Sequence, residues 1–274
     1  MKNLSVYKAL IIVFPLLLFS CRSGVETSDG MDFRVPSYEP SLNAVLYQQH
    51  SAEYKAICLQ TYSYAQRELE RMMPLIKSRL PLTIVSDLDE TVLDNSPYNA
   101  QLILDGEDYT PETWKKWVEK KNAKAVPGAI EFFEWAKSQG LEIFYISNRT
   151  EDLIEPTIKN MKALGLPNAD IEHVLLKTNS SDKGSRFNSV NKNHHVIMKL
   201  GDNLEDFDTD MIIKTGTERT EFLDVLEKGL GSSFVVFPNP MYGSWEGKGL
   251  FEGLKNLTQK QKDSIKVAKL NGWR

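Results

Sequence analysis

The period of the apolar residues changes near residue 81, and that change restricts the possible folds more than any other feature of the chain. From 41 to 80, Leu46, Tyr54, Ile57, Leu69, Met73 and Ile76 recur at helical spacing with few breakers before Pro74, which predicts a mostly helical N-terminal layer. Beyond it, short β-rich runs at 82–86, 141–146, 173–176, 196–200 and 234–237 alternate with amphipathic segments at roughly 127–139, 153–164, 183–191 and 218–229. Strand, helix, strand at this spacing predicts an α/β fold: right-handed crossovers and a parallel sheet flanked by helices on both faces. The remaining helical pieces, 110–121 and 259–270, join the N-terminal helices in a smaller, mostly helical subdomain. The expected layout is an α/β core over roughly 81–94 and 125–250, with the subdomain drawn from 36–80, 95–124 and 251–274.

Composition removes several classes of function. With 274 residues, 41% hydrophobic and 26% charged, the chain can bury a sizeable core and is not a disordered or low-complexity protein. A formal net charge of -4 lacks the basic footprint of a protein that binds a nucleic-acid polymer, although single nucleotides remain possible ligands. Two cysteines, Cys21 and Cys58, cannot build a disulfide framework. Lys2 and Lys8 precede an apolar run at 9–19, too short to span a bilayer, which ends at Ser20-Cys21. Residues 1–20 therefore read as an export signal. Leu18-Phe19-Ser20-Cys21 resembles the bacterial lipoprotein signal, in which the cysteine becomes the acylated N-terminus, and the polar stretch 21–35 resembles the tether of such proteins. The membrane is then reached by the lipid anchor only. Cys58, inside a helical stretch, is expected to be buried as a small hydrophobe.

In an open parallel sheet, ligands bind beyond the carboxyl ends of the strands. The polar residues at those ends are Asp87-Leu88-Asp89-Glu90-Thr91, Ser147-Asn148-Arg149, Lys177 with Lys183, and Gly201-Asp202-Asn203-Leu204-Glu205-Asp206. Asp87, Asp89, Asp202 and Asp206 crowd one crevice, an arrangement that like-charge repulsion disfavours unless a hard cation offsets it. Mg²⁺ suits an all-oxygen set that leaves room for water and phosphate. Asp87 can attack phosphorus while Asp89 protonates the leaving alkoxide and then deprotonates the hydrolytic water. Lys183 or Lys177 would offset charge on the phosphoryl oxygens, and the Ser147 hydroxyl with nearby N–H groups would bind them. Arg149 and Glu90 fit a structural ion-pair role as well as a catalytic one.

Taken in this order, the segments resemble the haloacid-dehalogenase-like (HAD) superfamily and, within it, the class C or DDDD acid phosphatases. The chain closely resembles the bacterial outer-membrane lipoproteins with 5'-nucleotidase activity. Residues 85–98, from Val85 to Tyr98, match the first signature except that Ser86 replaces an aliphatic residue, and residues 197–207 match the second. Pro111-Glu112-Thr113-Trp114 and Tyr242-Gly243-Ser244-Trp245-Glu246 extend the likeness over nearly the whole chain. The resemblance implies an HAD-like (Rossmann-like) sheet and Mg²⁺ held by the side chains of Asp87 and Asp202 and the carbonyl of Asp89, with Asp206 in the outer shell. It further implies phosphate binding by Ser147, Asn148 and Lys183, nucleobase packing between Trp114 and Tyr242, small phosphomonoesters, chiefly nucleoside monophosphates, as substrates, and a homodimer. Lys183 fits the family spacing better than Lys177. A broad acid phosphatase without nucleotide preference is the nearest alternative. A haem-binding surface lipoprotein is the non-enzymatic one, its only imidazoles being His50, His173, His194 and His195.

Overall fold

The computed structural model describes residues 41–207 and 215–273. The export signal, the tether and Cys21 lie outside them. Five parallel strands form the main sheet: β1 (Leu82–Ser86), β4 (Glu142–Thr150), β5 (Val174–Lys177), β6 (His195–Gly201) and β7 (Phe234–Val236), in the order β5-β4-β1-β6-β7. A short antiparallel pair, β2 (Leu93–Asp94) and β3 (Lys124–Ala125), is the second sheet. Sequence periodicity locates every strand of the parallel sheet but not this pair, because two residues are too few to carry an alternation.

The helices are α1 (Leu42–His50), α2 (Ala52–Met72), α3 (Ser96–Asp105), α4 (Pro111–Glu119), α5 (Ala129–Ser138), α6 (Ile154–Ala163), α7 (Gly184–Asn191), α8 (Gly216–Leu226) and α9 (Gln259–Ala268). Two of them show local encoding clearly. The Ser51 hydroxyl accepts the Tyr54 N–H at 2.8 Å to start α2, and Thr110 with Thr113 forms a capping box ahead of Pro111 in α4.

Alternation along the strands divides the core. Ile84, Ile143 and Tyr145 point to one face, packed with α2 and α5, while Val85, Phe144 and Ile146 meet Phe187 and Val190 of α7 on the other. The helix α2 presents Tyr54, Cys58, Tyr62, Ala65 and Leu69 as one buried stripe. That stripe shares the core of the sheet, so α2 is a layer of the α/β core rather than part of a separate helical body. Tyr62 shows how closely they join: its ring lies 4.5 Å from Phe237 and 5.1 Å from Phe132, and its hydroxyl donates to the Thr91 carbonyl at 2.6 Å. Among the described residues, no helix is long and apolar enough to cross a membrane.

From β1 the chain builds outward through β4 and β5, then returns to add β6 and β7 on the opposite side. The direction reverses beside β1, and a crevice opens there at the carboxyl ends of β1 and β6.

Candidate active site

Asp87 follows β1 directly, with its N–H donating to the Leu200 carbonyl at 2.8 Å. The end of the central strand thus fixes its backbone. The helix α7 begins just after Lys183, whose Nζ reaches Asp87 Oδ1 at 2.5 Å and Asp206 Oδ1 at 2.7 Å. Lys183 therefore occupies the position for which Lys177, on β5, was the rival. Oxygens of Asp87, Asp202 and Asp206 all lie within 4.8 Å of one another. Asp206, expected in an outer shell, belongs to this group and also pairs with Lys183. Gly201 permits this approach, since a Cβ there would collide with the Asp206 side chain.

The electrostatics follow from burial. Desolvation pushes Asp87 up to about 7, against the pull of Lys183 and with the help of Asp206 and Asp89. Asp202 is pushed well above the usual carboxylate range by burial, then by Asp206 and Asp87. Burial lowers Lys183, but the carboxylates of Asp206 and Asp87 outweigh it and hold the ammonium above its ordinary value. One lysine thus faces three converging carboxylates, and that donor set fits a divalent cation with oxygen ligands.

Asp89 is tied down differently. Arg149, almost fully buried, donates through Nη2 to Asp89 Oδ1 at 2.7 Å and through Nε to Asp89 Oδ2 at 3.2 Å, the bidentate geometry that suits a carboxylate. The Asn95 amide adds a bond at 2.9 Å and the Ser147 hydroxyl one at 3.2 Å. Ser147 is enclosed and turned toward Asp89, whereas Asn148 lines the cleft. Asn148 Oδ1 accepts from Arg186, which also donates to the Ser147 carbonyl and the Asp182 carbonyl. Arg149 therefore serves as the ion-pair partner of Asp89, and Arg186 ties the Ser147 loop to the Lys183 loop.

A cleft of about 330 Å³ opens beside these groups, with Tyr98, Tyr109, Trp114 and Tyr242 on its walls. Trp114 and Tyr242, 128 positions apart in the chain, meet here as expected. Trp114 packs edge-on against Tyr98 at 5.1 Å and has the Arg149 guanidinium 5.5 Å from its ring. None of the four histidines lines the cleft. Sequence reasoning did not single out Asn95 or Asn239. Asn239 Nδ2 donates to Asp202 Oδ2 at 2.8 Å, and its Oδ1 accepts from the N–H groups of Met241 and Tyr242. An asparagine just after a strand carries no signal of its own for such a bridge.

A buried lysine among carboxylates at the switch point of a parallel sheet is the arrangement that phosphoryl chemistry of the HAD class requires. Residues 7–245 match the family model of the HAD superfamily, subfamily IIIB (acid phosphatase), and the chain belongs to that family. The class C acid phosphatase of Bacillus anthracis, solved with tungstate bound, has a TM-score of 0.81 at 36% identity, covering 85% of this chain and 98% of that one. Vegetative storage protein 1 of Arabidopsis thaliana is 28% identical over 236 residues, 81% of this chain and 78% of that protein. Acid phosphatase 1 of Solanum lycopersicum is 23% identical over 159 residues, 58% of this chain and 57% of that protein. The protein is a phosphomonoesterase with the fold of the class C acid phosphatases.

Proposed function

We propose that the enzyme hydrolyses nucleoside 5'-monophosphates and other small organic phosphates, with Mg²⁺ as cofactor and a phosphoryl group carried transiently on Asp87. The observation that carries this reading is the convergence of Asp87, Lys183, Asp202 and Asp206 beside an aromatic-walled cleft. A relative of the same fold that binds tungstate, a tetrahedral oxyanion like phosphate, supports it.

In this reading an Asp87 carboxylate oxygen bonds to phosphorus as the bond to the leaving oxygen breaks, and Asp89 gives that oxygen its proton. Asp89 then takes a proton from water, which attacks the same phosphorus and releases phosphate and free Asp87. Lys183 spreads the charge that builds on the phosphoryl oxygens, and Asp206 holds Lys183 in place. Asp87, Asp202 and the Asp89 carbonyl would hold Mg²⁺, which supplies Lewis-acid stabilisation of the phosphoryl oxygens. On the leaving-group side, stacking on Trp114 and Tyr242 contributes roughly 1 to 3 kcal/mol for any base. The export signal and an acylated Cys21 belong to the same proposal: an enzyme held at the bacterial outer membrane by its lipid.

Phosphate release from AMP, glycerol phosphate and nitrophenyl phosphate tests this. EDTA should stop release and Mg²⁺ restore it, Asp87→Asn should leave no turnover, and AMP should be preferred over glycerol phosphate. Metal-independent release overturns the cofactor assignment, and near wild-type release by Asp87→Asn overturns the covalent route.

A further inference from the structure

Glu90 takes no part in the chemistry above, yet it is fully buried one residue past Asp89. Its backbone has φ 61°, a left-handed conformation that a side chain disfavours and glycine would adopt without strain. A bulky acid held there against both strain and desolvation points to a use for its carboxylate. Both oxygens are occupied: Oε1 accepts the Asn95 N–H at 2.7 Å, and Oε2 accepts the Asn95 amide at 3.1 Å and the Tyr242 hydroxyl, from a residue 152 positions away. Tyr242 stands on the cleft wall, in a loop whose other anchor is the Asn239 bridge to Asp202.

We propose that Glu90 is a positioning residue that sets substrate selectivity: through the Tyr242 hydroxyl it fixes the ring against which the organic part of the ester packs. This rests on the proposed leaving-group pocket. Glu90 touches neither the phosphoryl group nor the ester; it acts only by denying the Tyr242 ring other orientations. The tether also joins the loop that follows β7 to the loop that carries Asp87 and Asp89, so the ring wall is placed relative to the nucleophile rather than to the surface. Stacking alone needs only the ring, whereas this role needs the hydroxyl and its acceptor.

That difference is measurable. Kcat and KM for AMP and for glycerol phosphate should be determined for the wild type, Glu90→Gln, Tyr242→Phe and the double variant, in the presence of Mg²⁺. With its one acceptor oxygen kept by the Asn95 N–H, the shortest backbone bond to this side chain, glutamine puts its amide NH2 where Oε2 accepted from the Tyr242 hydroxyl and so cuts that contact. The ratio of kcat/KM for AMP to that for glycerol phosphate should fall about tenfold in each single variant, mainly through KM for AMP, the loss expected when a buried hydrogen bond is cut. The double variant should be no worse than either single one, because both cut the same contact. An unchanged ratio in Tyr242→Phe overturns the proposal, as do additive losses in the double variant. If Glu90→Gln does not fold, Tyr242→Phe, which keeps the ring and the carboxylate, decides alone. A wild type without preference for AMP would instead remove the leaving-group pocket itself, and turnover by Asp87→Asn the covalent mechanism, so the three failures are distinct.

Discussion

Asp89 combines two demands on one side chain. In the proposed mechanism it exchanges a proton with the leaving oxygen, and it is the counter-charge of an Arg149 side chain only 2% exposed. Replacing it by asparagine should therefore slow hydrolysis of alkyl esters such as AMP more than that of nitrophenyl phosphate, whose leaving oxygen needs little protonation. The same change leaves the guanidinium without its partner and should cost about 3 to 5 kcal/mol of stability, as breaking a buried pair does. Leaving-group kinetics and a thermal melt read the two effects separately, and equal losses on both esters would count against the acid role. Cys58 illustrates the opposite case, a residue with chemistry available and none in use. It is buried, and desolvation pushes its thiol up to about 11. A thiol reagent at pH 8 should label it only after unfolding. Because the folded thiol keeps its proton where the unfolded one has lost it, its contribution to stability falls as pH rises from about 9 toward about 11.

Among the elements, α2 decides more than its place before the sheet suggests. Tyr62 on this helix braces the carbonyl of Thr91, within the turn that follows Asp87, and Leu69 is fully buried in the shared core. Leu69→Ala should lower stability by about 2 to 5 kcal/mol, the range for a leucine emptied from a packed core. Denaturant unfolding measures that loss, and a change below about 1 kcal/mol would mean that the helix packs less tightly than its stripe indicates. The start of α4 was legible because Thr110 and Pro111 mark it, whereas the break between α1 and α2 at Ser51 was not. The segment Trp245–Leu250, which winds as a π-helix, carries no such mark.

For the whole molecule, the lipid-anchor proposal separates the catalytic body from its attachment. Among the described residues no helix is long and apolar enough to cross a membrane, and in the proposal the acyl chains on Cys21 hold the enzyme. Cys21→Ser should move phosphatase activity from the membrane fraction to the soluble exported fraction. Continued pelleting of that variant would require another anchor.

The sequence by itself determined the parallel α/β class, the positions of its strands and the acidic ends of β1 and β6, because strand period and strand-end chemistry are local properties. It also identified Asp87, Asp89, Asp202 and Asp206, with Lys183 or Lys177, as one set, since strand ends of a parallel sheet must share an edge. Only the tertiary structure decided which partner each of them takes. Lys183 rather than Lys177 reaches Asp87, Arg149 closes on Asp89, and Glu90 accepts from Tyr242, each across a separation of 60 residues or more. Such pairings depend on side-chain direction and burial at the point where chain segments meet, and no period within a segment encodes them.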